Sequence, residues 1–224
     1  MAAKRRSAKT RLERLLARLE PVDVEADDTA DPWRAILREN VAYLAKPAAR
    51  AQAFARLLEL TDGDAGQIAR CPDELLHECC GGGRMADQQV EKLRRCAALF
   101  REVGDPRELV ALPRPAAKKA LRRFPGIGEP GGDKLRLFAG AEPVVTFESN
   151  GLRVLQRLGY GTAEGAYAQN LRAVCAAVEA ELPRQVQPRV QAFLRLRELG
   201  RSVCRQSTPD CSACPLAADC PASR

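Results

Sequence analysis

The sequence predicts an all-α protein, and three observations carry that reading. Apolar residues recur at helical spacing along most of the chain, enough for about ten helices. The one strand-like run, Val144-Val145-Thr146-Phe147, is too short to found a sheet. No segment repeats at the periods expected of a solenoid.

The elements follow in order. Residues 1–20 read as a loose basic tail and then one helix carrying Leu12, Leu15, Leu16 and Leu19. Residues 21–31 are acidic and turn-rich and read as a linker. Asp31-Pro32 supplies a cap followed by proline at the first helical position, and Ile36, Leu37, Val41, Leu44 and Ala45 continue at helical spacing. Helices are expected over 50–61 (Phe54, Leu57, Leu58), 72–79 and 86–103 (Val90, Leu93, Ala97, Phe100). Shorter ones are expected over 107–112 and 116–124. Two long ones close the chain: 163–182, striped by Leu171, Val174, Val178 and Leu182, and 185–201, striped by Val190, Phe193, Leu194 and Leu199.

Composition bounds the function. The 224 residues suit one large domain or two small lobes. A hydrophobic share of 46% with 29% charged residues is a soluble globular profile, and 4% aromatics leaves the cores to Leu, Val and Ala. No run approaches the roughly 20 apolar residues that span a bilayer. The basic N-terminus lacks the apolar stretch of a secretory signal, although its composition is compatible with a mitochondrial-type presequence. A net charge of +7 favours a polyanionic partner such as nucleic acid, or else a basic solvated surface. His77 is the single histidine, so a histidine triad or multi-histidine metal site is excluded, and a surface position is expected for it.

Nine cysteines are present, and four of them fall within 17 residues as Cys204-x6-Cys211-x2-Cys214-x5-Cys220. A reducing cytosol with one metal site fits this better than a secreted disulfide scaffold. Thiolates are soft ligands for zinc or iron–sulfur clusters. Zinc sites usually show two Cys-x2–4-Cys knuckles, and only Cys211–Cys214 qualifies here. A [4Fe–4S] cluster tolerates uneven spacers because each iron takes one thiolate, so a cluster is the expectation and zinc the alternative.

Phe124-Pro125-Gly126-Ile127-Gly128 lies between two helical segments. Glycines permit a sharp turn whose N–H groups, ahead of a helix N-terminus, can hold phosphate oxygens. Lys118, Lys119, Arg122 and Arg123 before it, and Lys134 and Arg136 after it, add charge for a backbone anion. An ordinary helix–helix turn is the competing reading.

The cysteine spacing, Gly200-Arg201, the Pro125–Gly128 run and Arg153-Val154 together resemble the endonuclease III branch of the helix–hairpin–helix DNA glycosylases. The resemblance covers roughly residues 30–224. It implies two helical lobes: 31–143, a six-helix lobe with the hairpin, and 144–224, bearing the catalytic carboxylate and a C-terminal [4Fe–4S] cluster loop. Residues 1–30 would add a helix to the second lobe. Duplex DNA would lie between the lobes with a base flipped out. Pro125, Gly126, Ile127 and Gly128 would grip the DNA backbone without reading sequence. Cys204, Cys211, Cys214 and Cys220 would hold a structural cluster, and residues 205–210 would form its loop, with Arg205 its one basic residue.

The resemblance also fixes positions in the site. The family's catalytic aspartate falls 20 residues after the second hairpin glycine; here that residue is Glu148. The lyase lysine of bifunctional members falls at Pro130, which has no amine, and Lys134 lies four residues on, where a DNA contact or surface charge is expected. Asn40 to Leu44 contains no glutamine where the family fills the flipped base's gap, and Tyr43 would stack there or belong to the core. The loop 81–84 falls where the family wedges the duplex; Arg84 and Met85 would serve, or the loop is a flexible surface turn. Cys79 and Cys80 read as helix-end packing. The expectation is a monomeric, cytoplasmic (nucleoid-associated if bacterial), monofunctional base-excision repair glycosylase. The alternatives are a non-catalytic iron–sulfur DNA-binding protein of the same fold and a zinc-ribbon-like nucleic-acid binder.

Overall fold

The computed structural model describes residues 8–23, 30–42, 45–81 and 85–223, and among these it is all-helical, with no strand. In chain order the α-helices are α1 (Arg11–Leu16), α2 (Pro32–Glu39), α3 (Pro47–Thr61), α4 (Ala65–Arg70), α5 (Asp73–Cys80) and α6 (Ala86–Val103). They continue with α7 (Pro106–Leu109), α8 (Arg114–Leu121), α9 (Glu129–Phe138), α10 (Ser149–Arg157), α11 (Tyr167–Val178) and α12 (Val186–Ser202). No helix among the described residues is long and apolar enough to cross a membrane. The chain divides into two compact units, residues 24–141 and residues 1–23 with 142–224.

In the unit 24–141, capping residues set the helix starts. Asp31 accepts the N–H of Arg34 at 3.0 Å, and Pro32 opens α2. Asp64 and Asp105 cap α4 and α7 in the same way. Trp33, Ile36, Leu57, Ile68, Leu93, Leu121 and Phe124 fill one core. Burying each such side chain stabilises the unit by roughly 1.5–3 kcal/mol. The Trp33 indole meets Phe100 edge-on at 4.9 Å and donates to the Gly63 carbonyl at 2.6 Å. The helix expected to run to Ala45 stops at Glu39 instead. Asn40 turns its amide back onto the Ile36 carbonyl, and Ala42 is left-handed at φ 48°, although Val41 stays buried. The segment 107–112 yields only the single turn α7, and α8 ends at Leu121, three residues before the expected limit.

In the other unit, Leu12, Leu15 and Leu16 of α1 join Val145, Phe147, Leu152, Leu155, Val174 and Leu196 in a second core. Thr10 and Glu13 form a capping box on α1, and Leu12 donates its N–H to Glu181 Oε2 at 2.7 Å. Val144–Phe147 is buried but pairs with no strand, and it leads directly into α10. Helices α10 and α12 cross closely. A Cβ on Gly200 would fall 2.6 Å from the Asn150 carbonyl oxygen, so only glycine permits this approach. The helix expected from residue 163 begins at Tyr167, after a turn in which Gly161 takes φ 66°.

Candidate functional site

The hairpin is set by buried anchors on both sides of an exposed tip. Leu121, Phe124 and Ile127 are buried, whereas Gly126 and Gly128 are exposed. Gly126 takes φ 76°, a conformation that favours glycine. The buried Asn40 amide donates to the Pro125 carbonyl at 3.0 Å and so fastens the hairpin to the end of α2. Gly128 is the cap of α9, and of the first-turn residues Glu129 and Gly131 keep N–H groups without intrahelical acceptors, whereas Pro130 has no N–H. With the helix dipole they form a seat for an anion.

The cations around this seat are unequal. Lys118 reaches Glu129 at 3.1 Å and Asp133 at 3.2 Å. Lys134 pairs with Glu39 at 3.3 Å, and Arg123 with Glu102 at 3.2 Å. Arg136, expected to serve a surface anion, is instead buried and donates to the Val110 and Leu112 carbonyls. Its place on the inner face of α9 makes it a structural tie. Because α9 begins at Glu129, Pro130 and Lys134 lie one turn apart on one face.

Glu148 is the cap of α10, with extended backbone. One carboxylate oxygen accepts the N–H groups of Asn150 and Gly151, both at 2.9 Å. The other accepts the Asn150 amide at 2.8 Å and the Ser149 hydroxyl at 3.4 Å. The half-buried carboxylate is thus held in one orientation. Burial pushes the Tyr167 phenol above its ordinary range, and the negative charge of Glu148 pushes it further, which places this half-exposed ring within electrostatic reach of the carboxylate. Asn150 is held in turn by Arg153, whose guanidinium donates to Asn150 Oδ1 at 2.8 Å, the Gly200 carbonyl at 2.7 Å and the Cys204 carbonyl at 3.0 Å. A continuous hydrogen-bonded path therefore runs from Glu148 to the start of the cysteine segment.

Cys204, Cys211, Cys214 and Cys220 line one cavity of ≈180 Å³, together with Arg157, Val203 and Asp210. Burial raises the Cys214 thiol, and the neighbouring Cys204, Cys220 and Cys211 raise it further. Arg157 clamps this segment. It donates to Cys204 Sγ at 3.2 Å and to the carbonyls of Arg205 at 2.8 Å and Gln206 at 3.0 Å. Arg11 of α1 donates to the Leu158 carbonyl at 2.9 Å, and Arg18, just beyond that helix, binds the Asp219 carboxylate and the Pro215 carbonyl. Arg11, Arg18 and Arg157 carry no motif or spacing signal in the sequence; Arg11 and Arg18 reach their partners because the N-terminal segment folds against the C-terminal one, and Arg157 because α10 packs beside the cysteine segment. The donor set is soft and suits a metal–thiolate center. No group of three or more His, Cys, Asp or Glu side chains poised to hold a single metal ion is found among the described residues.

Tyr43 and Arg84 lie outside the described residues. Met85 is left-handed at φ 62° and 54% exposed, just before α6. His77 is partly exposed and lies 3.4 Å from Asp87. Cys79 and Cys80 are fully buried at the end of α5.

No protein family's profile matches the chain, and no curated protein matches it. Solved structures do. Endonuclease III trapped as a covalent intermediate with DNA, in an estranged-adenine complex, superposes with a TM-score of 0.68 at 18% identity, over 86% of this chain and 84% of that one. Endonuclease III in a non-covalent DNA complex gives 0.68 at 17%, with the same coverage. A thermostable thymine-DNA glycosylase gives 0.70 at 16%, over 95% of this chain and 94% of its own.

Proposed function

We propose that this chain, which has the fold of endonuclease III, is a DNA glycosylase of base-excision repair that hydrolyses the bond between a damaged or mismatched base and its sugar. The observation that carries the proposal is the carboxylate of Glu148, oriented by four donors at the start of α10, 20 residues beyond Gly128. In this reading the N–H groups of Gly126 and Gly128 hold a backbone phosphate of duplex DNA, the Ile127 N–H being taken by the Phe124 carbonyl, and the target base leaves the stack. Glu148 then activates a water and stabilises the cationic sugar that forms as the bond breaks. Asn150 and Arg153 act by fixing that carboxylate. Pro130 has no amine and Lys134 is engaged with Glu39, so the reaction stops at base release without strand cleavage by a lysine.

The four cysteines would hold a [4Fe–4S] cluster. Supporting this are a soft donor set, uneven spacers, and four cysteines lining one cavity of ≈180 Å³. When bound, the cluster supplies structural cross-linking of the C-terminal segment. Arg157 places a positive charge against Cys204, which offsets thiolate charge. The protein so described acts as a monomer.

The same capping of Glu148 would serve a helix start in a protein that binds DNA without cutting it, which is the second reading. One experiment separates the two. Duplexes carrying oxidised, deaminated, alkylated or mismatched bases are incubated with the purified protein, and free base is measured. Release from at least one duplex, with no adduct on borohydride trapping, is expected. Duplex binding with no release from any of them would favour the second reading, and a trapped adduct would contradict the role given to Pro130.

A further inference from the structure

The hairpin leaves an adjoining patch of charge unexplained. Lys119 and Arg122 are exposed, and neither has an ion-pair partner among the described residues. With Pro115, Lys118 and Arg123 they line one open hollow of ≈430 Å³ that no acidic side chain lines. Arg122 is the cap that ends α8, so the hollow lies immediately before the hairpin in the chain. A helix C-terminus carries about half a negative charge, which one cation neutralises. Lys119 and Arg122 are therefore surplus to what α8 requires. The hairpin's own seat carries an opposing charge: Glu129, exposed at the first position of α9, sits among the N–H groups that would meet a phosphate. Lys118, the cation nearest to offsetting it, is shared with Asp133.

We propose that this hollow is a second phosphate site, distinct from the hairpin N–H groups, and that it takes the phosphodiester backbone of duplex DNA. The proposal rests on the reading of the chain as a duplex-DNA protein. Lys119 and Arg122 supply the unneutralised charge, Lys118 and Arg123 line the walls, and the hairpin tip beyond supplies neutral backbone donors. The division of labour is physical: the hollow gives salt-sensitive attraction, and the hairpin gives geometry.

The test is the salt dependence of binding to a short undamaged duplex, between about 50 and 200 mM salt. Three proteins are compared: wild type, Lys119→Gln/Arg122→Gln, and the charge-preserving Lys119→Arg/Arg122→Lys. Both side chains are exposed, so the variants should fold alike, checked by helical circular dichroism and thermal midpoint. Each phosphate contact contributes about one unit to the slope of log affinity against log salt, so the glutamine variant should lose about two units. The charge-preserving variant should retain the wild-type slope. A glutamine variant with the wild-type slope, when wild type binds, overturns the hollow and leaves the proposed function standing. A wild type with no affinity for duplex DNA overturns both.

Discussion

The carboxylate of Glu148 takes two backbone N–H groups on one oxygen and the Asn150 amide on the other. A glutamate is one methylene longer than an aspartate, and the cap shows how that length is taken up: the side chain folds back onto its own helix start. Counting from Gly128 made position 148 legible in the sequence. Its support by Asn150 and Arg153 was not, because those bonds depend on where α12 crosses α10. Asn150→Ala should leave the fold intact while base release falls by about a hundredfold, the order expected when a reacting group is misplaced by about an ångström. Single-turnover base release with a circular dichroism control measures this. Gly200→Ala tests the crossing itself. The added Cβ would lie 2.6 Å from a backbone oxygen, so α10 and α12 must move apart, at a cost of about 1–3 kcal/mol read from urea unfolding. Arg157→Met should preserve the bulk of the side chain but remove its bonds to Cys204 Sγ and the following carbonyls. Lower iron and sulfide content per chain than in wild type is expected; equal content would contradict the clamp.

At the scale of elements, the readable helices were those whose signals are local. Asp31-Pro32 marked the start of α2 because cap and proline act within four residues. Helix α4 was missed: its six residues carry too little periodicity, and its stability comes from Ile68 in the core and from the Asp64 cap. The hairpin was legible from Pro125–Gly128, but its anchor was not. Asn40 lies 85 residues away and reads as an ordinary polar residue, yet it is buried and bonds to both Ile36 and Pro125. Asn40→Ala should therefore cost about 1–3 kcal/mol, the range for leaving buried partners unsatisfied. It should also weaken duplex binding, which an effect confined to the core would not do. Arg136 teaches the converse: a cation counted from sequence as available to an anion is consumed by two carbonyls on the buried side of α9.

Across the whole molecule, the nine cysteines divide by environment. Cys79 and Cys80 are pushed up to about 11 and Cys96 to about 12, chiefly by burial. Tyr160 is pushed up to about 12 by burial and by its bond to Glu181. Each of these groups is neutral when folded and ionises more readily when unfolded. Their contribution to stability is therefore complete below about pH 9, the ordinary thiol value, and is lost as pH rises toward 11–12. Stability should be flat in these groups through neutral pH and should fall above about pH 9, as followed by urea midpoints. At pH 8 Cys79, Cys80 and Cys96 should resist alkylation until denaturant is added, as mapped by mass spectrometry. The all-helical class was legible because periodicity is local; the pairing of α1 with the C-terminal half followed only from the family resemblance, because chain reversal leaves no mark on spacing. The claim that depends on all of this is that Glu148 performs base removal. Its most direct test is single-turnover base release from a lesion duplex that wild type processes, comparing wild type, Glu148→Asp and Glu148→Gln. The expected result is measurable release by wild type and the aspartate variant, and at least about a hundredfold less by the glutamine variant, with duplex affinity unchanged. Release by Glu148→Gln at the wild-type rate would contradict the account.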